Sequence, residues 1–459
     1  MQPLIISISG VRGIIGESLG AQQATEFGLA YGTFLRQMGE PHSSCRVCLG
    51  RDGRPSGQML AAALSAGLMA TGCDSIDLGI ATTPGTALMT RYLHGDGAVV
   101  ITASHNPVEY NGIKFLRSDG IAYPADQAQR IHQLFYDKQF KTCSSLKVAA
   151  ASTNSKTHAV HVDTVLQIVD KTLIRSRRFK VVLDSINASG CVVTAQLLCE
   201  LGCELIHLNN RPTGIFAHTP EPTAQNLAQL GPEIIKHNAA VGFAQDPDAD
   251  RLALIDEKGN YIGEEYTLAL AAKYIFSKKT GPAATNLSTS RMIDDLAAQA
   301  GCSVIRTPVG EAHVAHAMLQ NHCIIGGEGN GGVIDLRVVP VRDSLVGIVL
   351  ILQLLAETQM TLSQLVDQIP RYHMLKASFP CPPDQAPALL ETVKCYFADS
   401  YRDQKTKIDT RDGIRIDLPA GWVHLRPSNT EPIIRIMAES HNPQTSQQLI
   451  NQIKQIIHL

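Results

Sequence analysis

The chain has 459 residues, with 40 Lys+Arg against 42 Asp+Glu and a formal net charge of −2 at pH 7. At about 150 residues per domain this length gives roughly three domains, with four open. With 44% hydrophobic and 18% charged residues the composition is globular rather than disordered. The near-neutral charge argues against nucleic acid or a membrane surface as partner. No uninterrupted apolar run is long enough to span a bilayer, and residues 1–10 lack the basic start and cleavage site of a secretory signal.

Taken in chain order, apolar runs predict strands at 46–50, 98–102, 180–184, 203–208, 240–243, 252–256, 303–306 and 323–326. Helical patterning between them predicts helices at 22–38, 58–72, 189–201, 227–238, 266–276 and 291–300. Such alternation argues for α/β layers with mixed or mainly parallel sheets. The polar stretch 149–157 has linker composition, and Asp256-Glu257-Lys258-Gly259-Asn260 is a turn closing a strand pair. Residues 379–387 carry four prolines around Cys381 and set off a last segment with a helix at 388–401. Strands at 413–418, 421–425 and 433–438 make that segment a small α+β domain. Four modules follow: 1–152, 153–255, 256–372 and 373–459. Eleven cysteines are scattered singly, and Cys45-x-x-Cys48 alternates with strand residues. They read as reduced, partly buried thiols of a cytosolic protein rather than a zinc site.

Four stretches carry chemistry. In Asp246-Pro247-Asp248-Ala249-Asp250-Arg251, three carboxylates at alternate positions sit between two apolar runs. A curved loop can aim all three at one hard divalent cation, whose charge relieves their repulsion. Arg251 follows and suits a phosphate beside that metal. The run Val99-Val100-Ile101 ends in Thr102-Ala103-Ser104-His105-Asn106-Pro107, placing Ser104 at the strand end where open α/β sheets bind ligands. The G-x-S-x-G of a serine hydrolase is absent. His105 is poorly placed as base, since adjacent strand side chains point apart. Ser104 therefore needs other activation, such as a metal with phosphate partners, and Lys114 in Asn111-Gly112-Ile113-Lys114 is within reach.

In Gly326-Gly327-Glu328-Gly329-Asn330-Gly331-Gly332, glycines admit a ligand close to backbone, and Glu328 and Asn330 suit vicinal hydroxyls. Arg426-Pro427-Ser428-Asn429-Thr430-Glu431-Pro432, followed by Arg435, gathers donors into a phosphate nest. Ser9-Gly10-Val11-Arg12-Gly13 adds another arginine on a flexed loop. Arg51-Asp52-Gly53-Arg54 reads as a salt-bridged turn, and His313 with His316 as an exposed helix face.

These four stretches, in this order and one per module, closely resemble the α-D-phosphohexomutase family of phosphoglucomutases, phosphomannomutases and phosphoglucosamine mutases. The resemblance covers the whole chain. It implies three similar mixed α/β domains and a smaller C-terminal α+β domain around a central active-site cleft. It further implies that Ser104 is carried as a phosphoserine, with Mg²⁺ held by Asp246, Asp248, Asp250 and the Ser104 phosphate. Arg12, Lys114 and Arg251 would steady the reacting phosphoryl, with His105 also at the substrate. Glu328 and Asn330 would read sugar hydroxyls, while Arg426, Ser428, Asn429, Thr430 and Arg435 would hold the other phosphate.

The substrate is then a hexose or hexosamine phosphate and the intermediate a 1,6-bisphosphosugar, which also serves as activator. The protein would be a monomer or homodimer. One departure stands out: many bacterial relatives end the sugar loop in histidine, and this chain has Gly332. Lys114, Arg12 or His313 would cover an acid/base role there, or none is needed. The loop's wording favours glucosamine phosphate over mannose or glucose phosphate. A metal-dependent sugar phosphatase and a non-catalytic sugar-phosphate binder are the rivals.

Overall fold

The computed structural model describes residues 3–7, 10–39, 44–400, 406–428 and 432–457. They form two compact units, Met1–Tyr274 with Asn330–Val366, and Ile275–Gly329 with Asp367–Leu459.

In the first unit a seven-stranded sheet runs Ile5–Ser7, Gly10–Ile14, Tyr110–Arg117, Gly97–Ile101, Cys45–Arg51, Cys73–Ile80, Ala151–Thr153. Gly97–Ile101 is buried along its whole length, parallel to Cys45–Arg51 and antiparallel to Tyr110–Arg117. A strand covered on both faces needs apolar residues at every position, which explains its unbroken run. The helix Ala21–Met38 packs Phe27, Tyr31 and Phe34 into a core with Phe115, Tyr123 and Phe135, where the Phe27 and Phe135 rings stack at 3.9 Å.

A second sheet runs Leu252–Ile255, Val241–Gln245, Lys180–Asp184, Glu204–Leu208. Its first two strands are antiparallel with Gln245 opposite Leu252, so residues 246–251 form the loop of a hairpin. The helix Ser344–Thr358 is buried at 13 of its 15 positions. The sequence reading misses it because an all-round apolar helix shows no polar face to set its period.

In the second unit Ala283–Asn286 lies parallel to both Val304–Thr307 and Ile325–Glu328. An antiparallel sheet runs His373–Pro380, Ile433–Ser440, Gly421–Pro427, Ile414–Leu418, Lys407–Asp409. The helices Ala386–Ser400 and Pro443–Ile456 contribute Val393, Phe397, Ile450 and Ile453 to the core with Ile416, Leu425 and Ile436.

Two sequence readings change. The polar stretch 149–157 is not only a linker, because Ala151–Thr153 adds a parallel edge strand to Cys73–Ile80. Its exposed residues pair mainly through backbone, which leaves no hydrophobic signal. The proline-rich stretch begins inside a sheet: Pro380 ends the strand His373–Pro380, an edge position that can spare its N–H. His313 is exposed on the helix Glu311–Gln320 as expected, with His316 half-buried. Among the described residues, no helix is long and apolar enough to cross a membrane.

Candidate active site

Two residues past Ile101 the chain turns sharply, and Ser104 takes φ of +49°. A non-glycine residue stays in the left-handed region only where its surroundings hold it there. Ser104 N donates to Thr102 Oγ1 at 2.8 Å, and Thr102 Oγ1 donates to Asp52 Oδ2 at 2.6 Å. Arg54, only 2% exposed, does the rest. Its Nη2 donates to the carbonyls of Ser104 (2.7 Å) and Asn106 (2.8 Å), its Nη1 to those of Pro107 (2.6 Å) and Tyr110 (2.9 Å). Its Nε donates to Asp52 Oδ2 at 2.9 Å. The salt-bridged turn expected at 51–54 is therefore present, and it is the brace of the serine loop. Nothing local in the sequence shows this, since all four carbonyls lie at least 50 residues away in the chain.

The turn also corrects the expectation for His105. Because Ser104 leaves the strand, its Oγ and His105 Nδ1 do not point apart and lie 3.4 Å from each other. Burial, then Arg251 and Arg12, lowers His105 to about 3. Such a ring is neutral and a weak base.

Asp246, Asp248 and Asp250 are all buried, with one ligand atom from each within 4.8 Å of the others. Their loop turns at Ala249, where φ is +53°. It is pinned from several sides: Thr83 N donates to Asp248 O (3.0 Å), Ser189 Oγ to Pro247 O (2.7 Å) and Ser344 Oγ to Ala249 O (2.6 Å).

Each carboxylate commits at least one oxygen to the protein. Asp246 Oδ1 accepts from the backbone N–H of Asp250 and Arg251, both at 3.2 Å. Asp248 Oδ2 accepts from Thr83 Oγ1 and Lys114 Nζ, both at 2.6 Å. Asp250 Oδ2 accepts from Arg342 Nη2 at 2.5 Å. Of the remaining oxygens, Asp246 Oδ2 accepts from Ser104 Oγ at 3.2 Å, while Oδ1 of Asp248 and Oδ1 of Asp250 are buried without a hydrogen-bond partner.

Orphaned buried oxygens of this kind are costly and call for an explanation. Three oxygen donors converging with no thiol or imidazole among them suit a hard divalent cation such as Mg²⁺. Electrostatics agrees. Burial, then the charges of Asp250 and Asp248, pushes Asp246 well up. Burial works against Asp248 as well, but Lys114, together with hydrogen bonds from Thr83 and Asp246, outweighs it and brings Asp248 down. Lys114 itself is raised, since Asp248 and Asp250 together outweigh its burial.

Around this centre Arg12 Nη1 donates to Asn106 Oδ1 at 2.9 Å, with its pKa lowered by burial. Arg251 Nε lies 3.8 Å from Asp250 Oδ1. Ser104, His105, Lys114, Arg12, Arg251 and the three aspartates, drawn from distant stretches of sequence, thus meet in the first unit. Sequence reasoning missed Thr83 and Arg342, and the hold that Asp52 and Arg54 have on the serine loop. Each acts through a partner remote in the chain, so no motif spacing announces it.

The other expected residues are placed as follows. Asn330 belongs to the first unit and Glu328 to the second. Glu328 is 4% exposed, and its Oε1 accepts from Asn286 Nδ2 (2.8 Å) and Gly310 N (3.2 Å). Arg426 and Arg435 are directly opposite on neighbouring strands. Like charges so placed repel, and a bound anion would offset the cost. Asp412 holds Arg426 Nε at 2.9 Å and also accepts from Val309 N at 2.9 Å. Ser428 N donates to Ile433 O at 2.9 Å. Asn429 and Thr430 lie outside the described residues.

Family models match along the chain: "Phosphoglucomutase/phosphomannomutase, alpha/beta/alpha domain I" at residues 5–142, domain II at 159–259, domain III at 263–372, and the C-terminal domain at 380–456. A Thermococcus kodakarensis protein named "Phosphoglucomutase/phosphomannomutase" is 37% identical over 444 residues, covering 96% of this chain and 95% of its own. A Methanopyrus kandleri protein named "Probable phosphoglucosamine mutase" is 36% identical over 453 residues, covering 98% and 96%. The crystal structure of a Burkholderia thailandensis phosphoglucomutase/phosphomannomutase family protein superposes with a TM-score of 0.86 at 26% identity, covering 99% of this chain and 98% of that one. With all four of its domains matched in order, the chain belongs to the phosphoglucomutase/phosphomannomutase family of phosphohexomutases, which are isomerases.

Proposed function

We propose that this protein is a phosphoglucosamine mutase, interconverting glucosamine 6-phosphate and glucosamine 1-phosphate through phospho-Ser104. One observation carries the reading of the site: Ser104 Oγ is held 3.2 Å from Asp246 Oδ2 beside two orphaned carboxylate oxygens. Such a position suits a serine that carries a phosphoryl group beside a divalent cation.

The phosphoryl passes from Ser104 Oγ to the free hydroxyl of the sugar phosphate. The Ser104 P–O bond breaks and a sugar P–O bond forms. The hydroxyl gives up its proton, and Ser104 Oγ regains one. The resulting 1,6-bisphosphosugar turns round, and its other phosphate returns to Ser104. Asp246, Asp248 and Asp250 would hold Mg²⁺, which supplies charge neutralisation for the transferring phosphoryl.

Arg12 and Arg251 add donors for its oxygens. Lys114, held as an ammonium by Asp248 and Asp250, contributes charge rather than acting as a base. Arg426, Ser428 and Arg435, with Asn429 and Thr430, would bind the phosphate that is not reacting. Glu328 and Asn330 would read hydroxyls present in both orientations.

The choice of sugar rests on relatives named as phosphoglucosamine mutases. A second reading, phosphomannomutase/phosphoglucomutase, is favoured by the name of the 37% identical relative. Incubation with Mg²⁺, trace 1,6-bisphosphate and the 1-phosphates of glucosamine, mannose and glucose tests both. Fastest isomerisation of glucosamine phosphate is expected, and a clear preference for mannose or glucose selects the second reading. Inorganic phosphate without isomerisation would indicate a phosphatase, and no turnover of any sugar a binding protein.

A further inference from the structure

Gly332 opens the strand Gly332–Ile334 and has no positive φ, so its backbone could carry any residue. Space forbids one. A Cβ built there would lie 2.1 Å from Cδ, 2.7 Å from Cγ and 3.1 Å from Cβ of Arg342. The arginine stem fills the room that a side chain at 332 would need. Its guanidinium reaches Asp250 Oδ2 at 2.5 Å, leaving Asp250 Oδ1 as the buried oxygen without a hydrogen-bond partner.

Arg342 has little freedom to retreat, because the two residues after it are fixed. Asp343 N donates to Val333 O (2.8 Å). The Asp343 carboxylate takes His161 Nε2 at 2.6 Å and caps the helix Ser344–Thr358 by accepting from Leu345 N at 2.9 Å. Ser344 Oγ donates to Ala249 O inside the aspartate loop and accepts from Gln245 Nε2 at 2.7 Å. The backbone at 342 is thereby tied to the loop whose carboxylate its side chain grips.

We propose that Arg342 is a positioning residue for the cation site, orienting Asp250 so that Oδ1 faces the metal, and that Gly332 is glycine to make room for it. The proposal rests on the reading of Asp246, Asp248 and Asp250 as metal ligands. The two positions act as one device, in which either a missing guanidinium or an intruding methyl lets the Asp250 carboxylate rotate. Simple electrostatics predicts the opposite sign for loss of Arg342, since removing a cation next to a carboxylate should tighten Mg²⁺.

The test is Mg²⁺ binding to full-length protein, read by calorimetry and by the Mg²⁺-dependent rise in melting temperature, for wild type, Gly332→Ala, Arg342→Ala and the double variant. Each single variant is expected to weaken Mg²⁺ binding by about 10-fold or more, the usual size for a residue that orients a metal ligand. The double variant should bind Mg²⁺ about as weakly as Arg342→Ala, because losing Cγ and Cδ removes the two closest contacts and leaves the methyl only the 3.1 Å approach to Cβ. In turnover, kcat should fall while KM for the sugar phosphate stays within about 3-fold, as expected when only transition-state stabilisation is lost.

Unchanged or tighter Mg²⁺ binding in Gly332→Ala, or multiplicative losses in the double variant, would overturn the proposal. Should Arg342→Ala fail to fold, Gly332→Ala alone decides, since it keeps the arginine and only displaces it. A protein that binds Mg²⁺ but isomerises no sugar would refute the proposed function and leave this inference to stand or fall on binding. A wild-type protein that binds no Mg²⁺ would refute both.

Discussion

Ser104 Oγ and Asp246 Oδ2 lie 3.2 Å apart although 142 residues of chain separate them. One sits on the turn after a strand of the first sheet, the other on the hairpin loop of the second. Replacing Ser104 with Ala should abolish turnover and leave the melting temperature within a few degrees, because the brace at Arg54 grips backbone carbonyls rather than the hydroxyl. Intact-mass spectra of the wild type should show a fraction about 80 Da heavier, as one phosphate requires, and Ser104→Ala should lack it. Near-normal activity in Ser104→Ala would rule out the phosphoserine mechanism.

Arg54 and Asp52 are both fully buried, and each carries the other's charge. Arg54→Ala leaves the Asp52 carboxylate uncompensated and frees four carbonyls, so destabilisation of roughly 3–5 kcal/mol is expected. Denaturant unfolding measures it. A variant within about 0.5 kcal/mol of wild type, the range of an ordinary surface change, would show that the brace is dispensable.

Asp246 gives a pH signature. Its carboxyl is raised in the folded state by burial and by its aspartate neighbours. A raised acid makes folding harder as pH climbs from the unfolded pKa near 3.9 through the folded one. Without divalent metal, Asp246→Asn should therefore be more stable than wild type at neutral pH and not at pH 4. Added Mg²⁺ should stabilise wild type through selective binding to the folded state and do little for the variant. Thermal melts with EDTA or Mg²⁺ across pH 4–8 test this, and a variant less stable than wild type in EDTA at pH 7 would contradict it.

Asp412 holds Arg426 while also accepting from Val309 N. Asp412→Asn should loosen the arginine that we assign to the non-reacting phosphate. An increase in KM for the sugar phosphate of about 10-fold, corresponding to about 1.4 kcal/mol, is expected with a smaller change in kcat. An unchanged KM would show that Arg426 needs no such support.

Several parts of this protein are legible in the order of its amino acids alone. The apolar runs at 98–102, 180–184 and 240–243 and the amphipathic stretches between them announce the α/β alternation, because burial demands composition wherever it occurs. The aspartates of the 246–251 loop are legible for a related reason: three carboxylates between apolar strands are too costly to leave unexplained. Features held by backbone or by volume are not legible. The edge strand Ala151–Thr153 pairs through its main chain, the helix Ser344–Thr358 lacks a polar face, and Ser104 and His105 approach only because a positive φ turns the chain out of its strand. Arg54 and Arg342 are ordinary arginines in sequence. Tertiary structure alone decides that one grips the serine loop and the other reaches Asp250 across the space beside Gly332, since hydrogen bonds and excluded volume depend on how the folded backbone brings side chains together.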